Sequence, residues 1–307
     1  MRITIMGTGG VGGYFGARLA QAGCDVGFVA RGTQLTALRE GGLRVESELG
    51  NLHLPIVRVS DDPVALGPAD YVFVCVKLWD TPQALRSLAP VVGKTTAVLS
   101  LQNGVQKNEE LRRAFGERAV MGGVAYIAAM IGRPGVIKHT GTMARLVLGE
   151  FDGSRSERLA ALHAACVRGG VNAEISTDVL RAAWEKFVFI VGLSAATTSM
   201  RQPIGPIRAN PKSRAFLLEV MREVVAVGRA RGVHLPEDYA DARLAFCDGL
   251  PAEMTSSMHG DLDRGSRLEV DWLSGGVAAL GNDAGVPTPM NRAVSQILAL
   301  YADGTAS

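Results

Sequence analysis

The feature that most constrains this chain stands almost at its start. Gly7-Thr8-Gly9-Gly10-Val11-Gly12 fits the spacing G-x-G-x-x-G between a β-branched run, Ile3 to Met6, and a helical pattern, Val11 to Ala22, that Gly23 caps. Each glycine has a physical task. The first permits a tight turn, the second lets a pyrophosphate approach the backbone, and the third lets helix pack on strand. The helix N-terminus then offers unpaired N–H groups and the positive end of its dipole. A glycine-rich turn with no ligand is the bland alternative. The order strand, loop, helix, cap favours a dinucleotide site formed by all six residues.

The rest of the chain agrees with an α/β start. Up to about residue 175, short apolar runs alternate with helical patterns: Val26 to Ala30, Tyr71 to Val76, Thr96 to Leu101, Val120 to Ile127, Leu146 to Leu148 and Val171 to Ile175. Such alternation predicts a parallel sheet with crossover helices. Leu43 to Ser60 reads as an inserted hairpin, and Ser154-Arg155-Ser156-Glu157 as a capping box whose helix ends at Gly169-Gly170. From Thr177 helical periodicity takes over. Leu180, Ala183, Trp184, Phe187 and Val191 form one stripe; Leu217, Val220, Val224 and Val227 form another. Further helices are expected over 236–246, 252–262, 271–280 and 290–301. Two domains follow, 1–175 and 176–307, with no flexible tether.

Composition removes other classes. Thirty-two Lys and Arg against 30 Asp and Glu leave a charge of +2 with no long like-charged block, a poor match to nucleic acid. The longest apolar windows, 119–131 and 187–196, fall short of the ~20 residues that cross a bilayer, and the N-terminus lacks a signal-peptide pattern. A cytoplasmic address is expected. Cys24, Cys75, Cys166 and Cys247 are too dispersed for C-x-x-C, and no H-E-x-x-H occurs, so reduced, buried thiols and no metal are expected.

An NAD site usually has an acidic residue ending the second strand. Here that end is Ala30-Arg31-Gly32, while Asp25 lies at the strand's opposite end. Arg31 suits a 2′-phosphate, which points to NADP; a solvated surface arginine is the alternative. Lys77 and Asn103-Gly104 end two further strands, at the edge where open sheets bind ligands.

Taken together, these residues resemble the ketopantoate reductase (2-dehydropantoate 2-reductase) family over essentially the whole chain. The resemblance is carried by the glycine loop, Val76-Lys77, Leu101-Gln102-Asn103-Gly104, Trp184-Glu185-Lys186, Thr255-Ser256-Ser257-Met258 and Leu268-Glu269-Val270-Asp271. It implies a Rossmann domain followed by an all-α domain resembling that of 6-phosphogluconate dehydrogenase, with NADPH and a 2-keto acid meeting between them. It also implies Arg31 and Lys77 for the adenosine phosphate, Asn103 near nicotinamide and substrate, Lys186 as general acid, Ser257 for the substrate carboxylate, and Glu269 for the substrate hydroxyl and the lysine. Chemistry agrees: hydride reaching a carbonyl leaves charge on oxygen, and an ammonium supplies both proton and countercharge. An isolated helix lysine would more often snorkel to water.

One departure concerns substrate. Four and eight residues after the lysine, where the family often has asparagines, stand Ile190 and Ser194. Both would line the substrate pocket, which becomes more apolar. The leading expectation is reduction of 2-dehydropantoate to (R)-pantoate, serving pantothenate and coenzyme A synthesis. Another apolar or branched 2-keto acid, or a non-catalytic NADP(H) sensor, are the alternatives. The expected partner is a small keto acid, with no nucleic acid or membrane; a homodimer is left open.

Overall fold

The computed structural model describes residues 1–305. In chain order the elements are β1 (Arg2–Met6), α1 (Gly10–Gln21), β2 (Asp25–Val29), α2 (Gly32–Gly41), β3 (Leu43–Glu46), β4 (Leu52–Leu54), β5 (Arg58–Ser60), β6 (Tyr71–Val74), α3 (Thr81–Leu88), β7 (Ala97–Ser100), α4 (Lys107–Phe115), β8 (Val120–Arg133), β9 (Val136–Gly149), α5 (Glu157–Arg168) and β10 (Asn172–Ile175). Then come α6 (Val179–Met200), α7 (Ile204–Ala209), α8 (Pro211–Ala230), α9 (Tyr239–Asp248), α10 (Ser257–Asp263), α11 (Ser274–Ala284) and α12 (Pro289–Ile297). Two compact units result: Met1–Asn103 with Lys107–Ala182, and Gly104–Gln106 with the chain from Ala183. The two units part inside α6.

The first unit is built on a ten-stranded sheet of order β4-β3-β9-β8-β7-β6-β1-β2-β5, with β10 also pairing β9. From β5 to β8 all neighbours are parallel. Alternation along these strands explains their uninterrupted apolar runs. Tyr71 and Phe73 enter one core with Ile3, Ile5, Phe28 and Leu99, while Val72 and Val74 enter a second with Met6, Val29 and Val98. A strand covered on both faces needs apolar residues at every position.

The sheet is not parallel throughout. β8 and β9, each 14 residues long, form an antiparallel hairpin where the sequence reading saw only 120–127 and 146–148. Pro134-Gly135 makes its turn, with Gly135 at φ 79°. The outer half of β8 is largely exposed, so its residues carry no continuous apolar signal. The cap of α5 is also a correction: Ser156, not Ser154, accepts from Leu159 N at 3.1 Å, while the Ser154 N–H donates to Asp152. Placing the cap at Ser156 lets its hydroxyl donate to buried Glu150 at 2.6 Å, which Arg158 also grips.

The second unit is helical among its described residues. Its core unites Trp184, Phe187, Val191, Leu217, Val220, Val224, Val227 and Leu268. Leu180, expected in the first stripe, is 36% exposed: it shares the face of Trp184 and Phe187 but lies in the first turn of α6, ahead of the core those two enter. Only Ser257–Asp263 of the expected 252–262 helix forms; Ser256 caps it and residues before it remain loop. The cysteines are free thiols, with Cys166 and Cys247 buried as expected but Cys24 and Cys75 only half-buried at element ends. Among the described residues, no helix is long and apolar enough to cross a membrane.

Candidate active site

β1 lies between β2 and β6, so the order in which strands are laid down reverses there, and a ligand belongs beyond the carboxyl ends of these strands. The glycine loop occupies that edge. Gly7 has φ 103°, and a Cβ on it would stand 2.8 Å from Val76 N. A Cβ on Gly12 would run into Gly7 O and lie 2.9 Å from Cys75 Cβ. Gly9 is the reverse case: a Cβ there would meet nothing within 4 Å. That open space faces the start of α1, which has no side-chain cap. Uncapped N–H groups of Gly10, Val11 and Gly12 beside a vacant Cβ position fit a pyrophosphate.

Thr8 has a supporting task. Its N–H and hydroxyl both donate to Val29 O, at 3.0 and 2.9 Å, and its carbonyl accepts from Gln34 Nε2 at 3.1 Å. Gln34 Oε1 in turn accepts from Gly135 N at 2.9 Å. Thr8 therefore shapes the loop through β2, and Gln34 locks it to the β8–β9 turn. Sequence reading missed Gln34, whose partners lie 26 and 101 residues away.

Arg31 directly precedes α2 in extended conformation, with an exposed side chain. Asp25 sits at the far end of β2, where Arg58 Nη1 donates to it at 2.5 Å. The acidic group closest in sequence to a ribose ligand is thus engaged elsewhere. Lys77 follows β6, also exposed, its ammonium 5.5 Å from the centre of the Trp79 ring.

The turn after β7 is held by a buried polar network. Ser100 Oγ donates to Gln102 Oε1 at 2.8 Å, and Gln102 Nε2 donates to Val76 O at 2.9 Å and Thr81 Oγ1 at 2.8 Å. Gln102 thereby clamps the end of β7 to that of β6, leaving Asn103 half-buried beside it. The Lys107 ammonium reaches back under this turn to the Ser100 and Gln102 carbonyls. Burial of its sulfur pushes the Cys75 thiol up to about 12.

In the helical unit, Lys186, Ile190 and Ser194 fall at four-residue spacing on one face of α6. Ile190 packs against the helical core and Ser194 is 4% exposed. Lys186 is half-buried; burial pulls its ammonium down to about 8, while the Glu269 carboxylate pulls it back up. Glu269 is 6% exposed, in a turn closed by Trp272 and Leu273 N–H groups on its carbonyl. Ser257 opens α10 with its side chain exposed, while neighbouring Ser256 accepts from His259 N and lies 3.0 Å from Thr197 Oγ1 of α6. His259 Nδ1, 2.8 Å from Thr197 O, makes a second tie. Burial and the Glu269 carboxylate thus act on this ammonium in opposite senses, burial the larger.

A sheet with a glycine loop at its reversal point, continued by a helical unit carrying such a lysine, defines a dinucleotide-binding oxidoreductase. The family model described as ketopantoate reductase PanE/ApbA matches residues 3–153, and the model for the C-terminal part of the same family matches 178–302. The chain belongs to the ketopantoate reductase family. It is similar to a solved 2-dehydropantoate 2-reductase from Geobacter metallireducens, at 32% identity and TM-score 0.91 over 98% of this chain and 99% of that one. A PanE/ApbA family ketopantoate reductase from Ralstonia eutropha is 35% identical, with TM-score 0.89 over 98% of each chain. Among curated relatives, the 2-dehydropantoate 2-reductase of Archaeoglobus fulgidus is 34% identical over 97% of this chain and 96% of its own.

Proposed function

We propose that this protein reduces 2-dehydropantoate to (R)-pantoate with NADPH, the reaction that serves pantothenate and coenzyme A synthesis. The observation that carries the reading is Lys186, a half-buried ammonium drawn down to about 8 beside a buried carboxylate, in a chain of this family. Gly7 to Gly12 would hold the pyrophosphate, Arg31 and Lys77 the adenosine phosphate, and Asn103 the nicotinamide end. When bound there, NADPH would provide the hydride for the keto carbon. Lys186 gives its proton to the oxygen on which charge develops, and its positive charge stabilises that oxygen beforehand. Glu269 keeps the lysine protonated and accepts from the substrate hydroxyl, while Ser257 donates to the substrate carboxylate.

A second reading keeps these roles and changes the substrate to another apolar or branched 2-keto acid. Ile190 favours it, because an isoleucine on the lysine's face offers no hydrogen bond. The test is NADPH oxidation by the purified protein with 2-dehydropantoate and a panel of 2-keto acids. Highest kcat/KM for 2-dehydropantoate is expected; a clear preference for another keto acid selects the second reading, and no oxidation with any of them overturns both.

A further inference from the structure

We propose that Lys107 is a positioning residue for the reduction: enclosed by backbone carbonyls at the carboxyl edge of the sheet, it holds the turn that presents Asn103. The inference rests on the reading of Asn103 given above. Lys107 is 3% exposed, an extreme degree of burial for a lysine. A buried ammonium is tolerated only where its donors are met. Its Nζ donates to Ser100 O at 3.0 Å, to Gln102 O, and to Gly123 O at 3.4 Å. These carbonyls belong to the end of β7, the turn itself and β8, so one cation ties the turn to its own strand and to the neighbouring β8.

Two further features mark the site as built for geometry and not for helix stability. Lys107 is the first residue of α4, where the helix dipole disfavours a cation and where Glu109 and Glu110 supply the favoured charge. At Gly123 a Cβ would lie 2.9 Å from Leu101 Cδ2 and 3.3 Å from Ser100 O, so glycine at that position eases the close approach of β8 to the end of β7. The lysine completes the network in which Gln102 bonds Val76 and Thr81. Without the ammonium the turn's carbonyls lose their donor, and Gln102 loses its fixed backbone.

The test is a double-mutant cycle with Lys107→Met and Asn103→Ala, joined to amide hydrogen exchange. Lys107→Met is expected to lower kcat by ~10- to 100-fold, the scale of a misplaced contact, while NADPH affinity changes by less than ~3-fold. On the Asn103→Ala background the same change is expected to cost less than ~3-fold, because both act through one contact. Exchange at Gln102 and Asn103 is expected to quicken by ~10-fold while β1 keeps its protection. Losses that multiply in the double variant, an unchanged kcat, or exchange that rises equally across the sheet would each overturn the proposal. Should Lys107→Met fail to fold, Lys107→Gln, which removes the ammonium with a shorter side chain but keeps a polar group at the buried position, carries the same cycle. A wild-type protein that reduces no keto acid refutes the proposed function instead, and the exchange arm still decides the role of Lys107.

Discussion

The two units build their candidate sites from different materials. In the first, the glycine loop is a backbone device: its shape comes from Gly7 and Gly12 having no Cβ, and the groups proposed to hold the ligand are N–H donors at the start of α1. In the second, α6 and the turn at Glu269 carry the side chains, and the chemistry proposed for them rests on one ammonium that burial lowers. A backbone site is fixed by sterics and tolerates little change of shape. A side-chain site is fixed by electrostatics and can lose its chemistry while keeping its fold.

Lys186→Ala tests that contrast with the largest expected effect. Removal of proton donor and charge is expected to lower kcat ~10²- to 10⁴-fold, with NADPH binding and thermal stability close to wild type. With the ammonium near pH 8, reduction is expected to be fastest below that pH and to fall above it, since the donor is then deprotonated. Oxidation of the hydroxy acid needs the free amine and is expected to rise through the same pH. Near-normal turnover with unchanged pH profiles would remove Lys186 from the mechanism.

Substitution within the glycine loop is expected to split in the opposite sense. Gly12→Ala forces a Cβ onto Gly7 O and Cys75, an overpacking expected to cost roughly 1–3 kcal/mol or more of folding stability. Gly9→Ala fills open space, so its thermal midpoint should match wild type while NADPH affinity falls. Calorimetry and cofactor titration on the two variants separate the outcomes. Equal destabilisation by both would mean that the space before α1 serves packing and not a ligand.

This difference also governs how much the sequence disclosed. The glycine loop and strands β1, β2, β6 and β7 were legible because local sterics and continuous apolar runs leave marks at fixed spacing. The long β8–β9 hairpin was not, since the outer half of β8 is solvent-exposed and carries no alternation that burial would impose. Lys107 was hidden for another reason: Gln106-Lys107-Asn108-Glu109-Glu110 reads as a solvated helix start, and only the carbonyls of Ser100, Gln102 and Gly123 make position 107 an interior site. Lys186 could be singled out by resemblance, but its displacement to about 8 follows from tertiary burial that no local pattern encodes.

Arg31 probes the first unit where it does use a side chain. The exposed guanidinium following β2 is expected to contact a 2′-phosphate, so Arg31→Ala should weaken NADPH by about 1.5–3 kcal/mol and NADH hardly at all. Paired cofactor titrations read the difference directly. Equal losses for both cofactors would move the 2′-phosphate contact away from Arg31.

The smallest effect is expected at two adjacent serines, and it repeats the contrast within a single turn. Ser256 is buried, caps α10 by accepting from His259 N at 3.0 Å and lies against Thr197 of α6. Losing such a cap costs about 0.5–2 kcal/mol, so Ser256→Ala is expected to lower the thermal midpoint by a few degrees. Ser257 is exposed, makes no cap and is proposed to hold the substrate carboxylate. Ser257→Ala is therefore expected to leave stability within about 0.5 kcal/mol of wild type and to raise KM for the keto acid with kcat nearly constant, because that contact exists in ground and transition states alike. If Ser256→Ala raises KM as much as Ser257→Ala does, the substrate is sensing the placement of the whole α10 start, and the carboxylate contact belongs to the capped turn and not to the Ser257 hydroxyl.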